Sequence, residues 1–135
     1  MPRAGQVLYH RDFIFTDGAT GDKLVVVLNT SENDETSLVL KTTSQSARYS
    51  FITPGCKSSK NVFCIFTECE QGFPDDTYVQ MDNIYPINVE QLLNKKQVSF
   101  VDHLSAVCYA NLKRCLRNFR NDIPQQYWTT IYSSK

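Results

Sequence analysis

The sequence predicts a mainly β domain, a small antiparallel barrel or sandwich, followed by a C-terminal helical segment. Five or six short apolar or alternating segments, separated by turn residues, occur between residues 7 and 81, a spacing typical of all-β domains. From Ser99 onward the apolar residues recur at steps of three and four, which indicates a helix. With 135 residues, 41% of them apolar, the chain has the size and composition of one globular domain.

Each predicted strand has its own sequence pattern. Residues 7–15 mix apolar and polar positions and end in an aromatic-rich segment before a glycine-containing loop. Residues 24–28 (LVVVL) are fully apolar and rich in β-branched side chains, which is typical of a strand buried on both faces. Residues 37–43 (SLVLKTT) predict the next strand. Further strands are predicted at residues 48–53, 62–67 and 77–81.

The C-terminal region predicts an amphipathic helix with a basic face. Ser99 and Asp102 are spaced like a shortened capping box, so we predict that the helix begins there. It should end before Pro124, because proline disfavours the α conformation at the preceding residue. Shorter helices are predicted at residues 87–93 and 125–133. The apolar stripe of the main helix comprises Val101, Leu104, Cys108, Leu112, Cys115 and Phe119. Its opposite side carries Lys113, Arg114, Arg117 and Arg120.

Charge is distributed unevenly along a chain whose net charge is zero. Residues 1–94, the predicted β body, hold seven Lys or Arg and twelve Asp or Glu, which gives −5. Residues 95–135, the predicted helical extension of the same domain, hold seven and two, which gives +5. Such a dipole favours either a charged partner for one end or attraction between the two halves. The basic helix face is therefore a candidate partner-binding surface, although a solvated helix face has the same pattern.

Cysteine spacing and apolar runs bear on metal binding and location. Five cysteines occur at positions 56, 64, 69, 108 and 115 without a CxxC pair, and there are two histidines. We therefore expect no zinc site and no cofactor. Free buried thiols in a reducing cytoplasm are expected instead of disulfides. No apolar run approaches the ~20 residues that span a bilayer, and the N-terminus has no signal-peptide core, so the sequence predicts a cytoplasmic protein with no membrane partner.

A cluster of cationic and hydroxyl side chains is the candidate site, since Walker A, GxGxxG, HExxH and GxSxG motifs are absent from the sequence. If the strands at residues 24–28 and 37–43 pair, Lys23 lies where one begins and Thr42, Thr43 and Ser44 lie where the other ends. A cation and hydroxyls held together could bind a phosphodiester and stabilise charge on its oxygens. Thr and Ser also suit strand ends for their β propensity and turn formation, and the residue types alone favour that simpler explanation.

Three segments, in order, resemble one family of proteins. The segments DG…GDKLVVVLN, TSLVLKTTSQ and FPDDTYVQMDNIYPINVEQL look like the PemK/MazF-like toxins, which are related to the CcdB-like toxins. The resemblance covers residues 7–94 and implies an SH3-like barrel. For the enzymatic members it implies metal-independent cleavage of single-stranded RNA, in which a ribose 2′-hydroxyl attacks the adjacent phosphorus. It also implies a homodimer and a cognate antitoxin protein as partner.

The resemblance carries family roles to individual residues. The basic catalytic position falls on Lys23, and the hydroxyl position falls on Thr43, or on Thr42 if the register slips by one. The family has Arg-Pro where this chain has Lys23-Leu24, and Lys lacks the planar guanidinium that binds phosphate in a bidentate manner. Arg48 could supply that guanidinium. The further candidates are His10 as an acid or base, and Lys41, Thr42, Ser44 and Gln45 as substrate-binding residues.

Two alternatives to RNA cleavage remain open on the same fold. The chain could be a non-catalytic protein- or nucleic-acid-binding module that uses the β body or the basic helix face. It could also be a topoisomerase poison like the CcdB-type toxins, in which the terminal helical segment reaches a protein target.

Overall fold

The computed structural model describes residues 2–14, 17–31, 36–43, 55–57, 60–65 and 77–133. The strand predicted at residues 48–53, together with Ser44, Gln45, Arg48 and Cys69, lies outside the described residues. The strands are β1 (Gln6–Ile14), β2 (Thr20–Val27), β3 (Ser37–Thr43), β4 (Gly55–Lys57), β5 (Val62–Ile65), β6 (Thr77–Ile87) and β7 (Val98–His103). The helices are α1 (Val89–Asn94), α2 (Ala106–Leu116) and α3 (Gln125–Ser133), with a 3₁₀ helix at Arg117–Asp122. None of these helices is long and apolar enough to cross a membrane.

The described strands form one antiparallel sheet of seven strands in the order β4-β5-β6-β3-β2-β1-β7. A mainly β domain with C-terminal helices is therefore confirmed. Within the described residues the sheet is open, with β4 and β7 at its edges, and it does not close into a barrel.

The C-terminal helices pack on one face of the sheet, which we call the helical face. Leu112 and Leu116 of α2 and Ile131 of α3 are fully buried and share a hydrophobic cluster with Val26 and Leu28. Removing such side chains from water is the main stabilising contribution of this layer, since burial of one large aliphatic side chain is worth about 1.5–3 kcal/mol. The helices and the sheet thus have one core between them.

The opposite face of the sheet, the α1 face, has a second hydrophobic cluster. Val25 and Val27 of β2 and Val39 of β3 pack there with Val89 of α1 and Val98 of β7. Because consecutive residues of β2 belong to the two different clusters, this strand is buried on both faces, as its apolar sequence predicts.

The predicted start of the main helix is wrong. Ser99 lies in β7, which pairs with β1 through Leu8 opposite Phe100 and Tyr9 opposite Ser99. The helix begins at Ala106, and the hydroxyl of Ser105 caps it by accepting a hydrogen bond from the backbone N–H of Cys108. The outer backbone groups of β1 are hydrogen-bonded by this segment, a long-range pairing that outweighs the local helical pattern. The predicted short helices near residues 87–93 and 125–133 are confirmed as α1 and α3.

The expectation that all the cysteines are thiols is also wrong. Cys56 of β4 and Cys115 of α2 form a disulfide, with their Cα atoms 5.5 Å apart. Cys64 and Cys108 remain thiols. Burial raises the pKa of the Cys64 thiol to about 11, so this group stays protonated at neutral pH. The disulfide joins an edge strand of the sheet to the helix that carries Lys113 and Arg114.

Candidate functional site

Strands β1, β2 and β3 bring three of the predicted catalytic residues to the α1 face. His10 of β1 is the direct cross-strand partner of Lys23 of β2. The β2–β3 register pairs Val25 with Lys41, and the same register continued by two residues sets Lys23 opposite Thr43. Directly opposed residues of antiparallel strands share a face, and strands lie about 4.8 Å apart. His10, Lys23 and Thr43 therefore form what we call the cross-strand row.

Thr42 belongs to the opposite face. Its hydroxyl donates a hydrogen bond of 2.8 Å to the carbonyl of Leu24. This contact supports the continued register, in which Leu24 of β2 lies opposite Thr42 of β3. Because side chains alternate along a strand, Thr43 shares a face with Lys23 and Thr42 does not. The register alternative that assigns the hydroxyl role to Thr42 has no support in this geometry.

Lys41 lies on the α1 face, two residues before Thr43, and its ammonium group donates a hydrogen bond to the side-chain oxygen of Gln80 in β6. This contact ties a cation of β3 to the neighbouring strand. The three remaining predicted residues, Ser44, Gln45 and Arg48, lie outside the described residues.

The cross-strand row is mostly enclosed. His10 and Thr43 each expose 6% of their surface, whereas Lys23 is half-buried. The His10 Nδ1 lies 2.9 Å from the carbonyl oxygen of Arg11. Since a carbonyl only accepts, Nδ1 must carry the proton, and a neutral ring then presents the lone pair of Nε2. No group of the described residues hydrogen-bonds to that Nε2.

A bulge in β1 orients the histidine. The β1–β2 register shifts between His10 and Phe13, and Asp12 takes a left-handed conformation with φ of 54°. The Asp22 carboxylate accepts hydrogen bonds from the Asp12 backbone N–H at 3.0 Å and from the Tyr9 hydroxyl at 2.9 Å. These two donors, in that order, hold the pKa of Asp22 below its ordinary value. The bulge lets the edge of one ring contact the face of the other, with the centroids of His10 and Phe13 5.0 Å apart.

A cleft of about 340 Å³ opens beside the histidine on the α1 face. We call it the β1–α1 cleft. Its walls include Phe13 and Tyr85, whose ring centroids are 4.8 Å apart, and Leu92 of α1. Gln91 and Gln97 contribute amide groups. The cleft therefore offers apolar walls and a few polar groups, as small-molecule sites commonly do.

A second candidate site, the basic surface, lies on the outer side of the C-terminal helices. It comprises Lys113, Arg114, Arg117 and Arg120 with the rings of Trp128 and Tyr132. Arg120 stacks 4.2 Å from the Trp128 ring centroid, while Arg117 and Lys113 lie 5.1 Å and 5.0 Å from that of Tyr132. Each such contact is worth about 0.5–1 kcal/mol at an exposed site.

The positive charge of the basic surface is not neutralised locally. Within the described part of the chain, none of its four cations forms an ion pair. Burial, and then the neighbouring charge of Arg117, lower the pKa of Lys113. Three of the four cations are exposed. Positive charge without a carboxylate partner favours binding of an anion.

Neither protein-family models nor curated proteins match this chain. Sequence reasoning missed Asp22, the bulge at Asp12 and the β1–α1 cleft, because all three depend on how β1 and β2 pair. The aromatic partners of the basic surface had a usable signal, since Trp128 and Tyr132 are four residues apart on one helix and so share a side.

Proposed function

We propose that the chain is a metal-independent endoribonuclease that cleaves single-stranded RNA and inhibits growth as part of a toxin-antitoxin pair. The observation that supports the proposal is the cross-strand row, in which His10 is the direct partner of Lys23 and the continued β2–β3 register sets Thr43 opposite Lys23 on the same sheet face. The proposal includes the finer features of the PemK/MazF-like resemblance, namely an SH3-like barrel, a cytoplasmic location, a homodimer and a cognate antitoxin.

Each residue of the row has one task in the reaction. The Lys23 ammonium binds a non-bridging phosphate oxygen and stabilises the charge that grows there. The His10 Nε2 accepts the proton of the 2′-hydroxyl as its oxygen attacks phosphorus. The bond from phosphorus to the 5′-oxygen breaks, the leaving oxygen takes a proton from solvent water, and a 2′,3′-cyclic phosphate remains. The Thr43 hydroxyl donates to a second phosphate oxygen.

Two assays test this proposal together. Purified protein is incubated with single-stranded RNA in EDTA, and the same gene is expressed in growing cells. We expect fragments that end in a cyclic phosphate, arrested growth, and a loss of about 100-fold or more in cleavage rate for His10→Gln. Lys60→Ala, which removes an exposed cation outside the row, is the matched control for Lys23→Ala. Intact RNA together with normal growth would reject the proposal that the chain is a ribonuclease.

A second candidate function is non-catalytic binding through the basic surface. The observation that favours it is the set of four cations without ion pairs beside two aromatic rings, an arrangement that suits single-stranded nucleic acid. The sheet separates this surface from the cross-strand row, so the two sites can be tested independently. If binding is the function, the charge reversal Arg114→Glu/Arg117→Glu abolishes it, while Lys23→Ala and Thr43→Ala leave it intact.

A further inference from the structure

The β1–α1 cleft is lined by a largely buried histidine, one ring nitrogen of which makes no hydrogen bond within the described residues. His10 is 94% buried, and its Nδ1 is committed to the Arg11 carbonyl, yet no described group hydrogen-bonds to its Nε2. No buried side-chain nitrogen or oxygen of the described residues lacks a hydrogen-bond partner, so Nε2 must be accessible. Since His10 lines the β1–α1 cleft, that is where Nε2 is available to a ligand.

Two further polar groups of the cleft are available. The side-chain amides of Gln91 and Gln97 make no hydrogen bond with the described residues, and each offers both a donor and an acceptor. Gln97 is held in place through its backbone, which accepts from Arg11 and donates to Leu92. The cleft therefore offers both hydrogen-bond donors and hydrogen-bond acceptors that no described group occupies.

The charge of the cleft argues against a simple anion as its ligand. Among the described lining residues, Lys95 and Asp12 carry opposite charges, and both are exposed. A phosphate alone would meet one cation and one carboxylate, whereas phosphate sites usually contain several positively charged hydrogen-bond donors and no carboxylate. An acyl chain would leave the two glutamine amides without partners, which is costly when they are covered.

We infer that the β1–α1 cleft binds one nucleobase of the single-stranded RNA substrate, an inference that rests on the proposed function. A nucleobase has two apolar faces and an edge of donors and acceptors, which match the Phe13, Tyr85 and Leu92 walls and the glutamine amides. At about 340 Å³ the cleft is near the lower end of ligand sites, which run from about 300 to 1,000 Å³, so it suits one nucleotide. The base then lies beside the row that cuts the chain.

Nucleotide binding can be measured without any cleavage. The four nucleoside 5′-monophosphates and ribose 5-phosphate are titrated into the purified protein by calorimetry. At least one nucleotide is expected to bind tenfold or more tightly than ribose 5-phosphate, because only the nucleotide carries a base. Equal affinity for all five compounds, or no binding, would overturn the inference even if the protein cleaves RNA. Tight nucleotide binding by a protein that leaves RNA intact would support a nucleobase site in the cleft and reject the nuclease.

Variants locate the binding. Gln91→Met and Gln97→Met keep the side-chain length and remove the amide, and each is expected to weaken the preferred nucleotide by about 3–10-fold. Lys96→Asn is the control, because Lys96 neighbours the cleft in sequence, is absent from its lining, and has a φ of 59° that Asn tolerates. If both glutamine variants bind the nucleotide with unchanged affinity, and circular dichroism shows that they are folded, the nucleotide binds outside the cleft and the inference is refuted.

Discussion

Breaking the disulfide between Cys56 and Cys115 should cost the protein a large part of its stability. The bond connects β4 to α2 across 59 residues of sequence, so it closes a long loop in the unfolded chain. In the chain-entropy model a loop of that length lowers the free energy of folding by about 4 kcal/mol. Because a whole domain is stabilised by only about 5–15 kcal/mol, this single bond accounts for a substantial share.

The magnitude can be measured without disturbing the core. Cys56 is exposed, so Cys56→Ser removes the bond without creating a cavity, whereas Cys115 is 2% exposed and its replacement would add a packing cost. Urea unfolding followed by circular dichroism gives the midpoint for the oxidised protein, for the protein with a dithiol reductant, and for Cys56→Ser.

The reductant supplies the matched control. The native chain is expected to lose about 4 kcal/mol when reduced, and Cys56→Ser is expected to show that loss already and no further response to reductant. Cys108→Ala keeps the disulfide and should respond to reductant as the native chain does. If the reduced and oxidised native chains unfold at the same urea concentration, the loop-closure reasoning fails.

Three further predictions follow from the core, the basic surface and the thiols. Ile131→Ala in α3 is expected to destabilise the domain by about 2–5 kcal/mol in urea unfolding, because Ile131 is fully buried in the cluster shared with the sheet. If the loss is no larger than the loss from replacing an exposed threonine of the same helix by alanine, α3 does not share the core. If the basic surface binds single-stranded nucleic acid, removing Arg117 and Arg120 together should reduce the salt dependence of oligonucleotide binding by about 1.4 in log K per log salt, and an unchanged slope would reject this second candidate function. At pH 8 iodoacetamide should modify Cys108 well before Cys64, because burial raises the pKa of Cys64 to about 11 and keeps it a thiol. Peptide mass spectrometry measures the order of modification, and the reverse order would contradict the burial of Cys64.

The sequence predicts those elements whose signal is local. The β-branched run of β2 predicts a strand buried on both faces, and Pro124 marks the boundary before α3. The strand conformation of residues 98–103 could not be predicted in the same way. Val101 fits the predicted helical stripe, and only the free edge of β1, which is distant in sequence, draws the segment into the sheet. The disulfide is likewise a long-range contact that cysteine spacing does not reveal.

The candidate site was predictable in residue type and not in arrangement. Lys23 and Thr43 can be named from their positions at strand ends. Their alignment with His10 depends on the β1–β2 and β2–β3 registers, which pairing along the whole strands decides. The bulge at Asp12 adds one further shift, and its hydrogen bond to Asp22 has no signature in the sequence.

A double-mutant cycle of RNA cleavage in EDTA tests most directly whether Lys23 and Thr43 of the cross-strand row serve one phosphate. Rates are measured for the native chain, Lys23→Ala, Thr43→Val and the double variant on one single-stranded RNA. Groups that act on the same transition state lose their effects together, so the double variant should cut about as slowly as the slower single variant. Losses that multiply, variants that cut at the native rate, or RNA that the native chain leaves intact would each contradict the account.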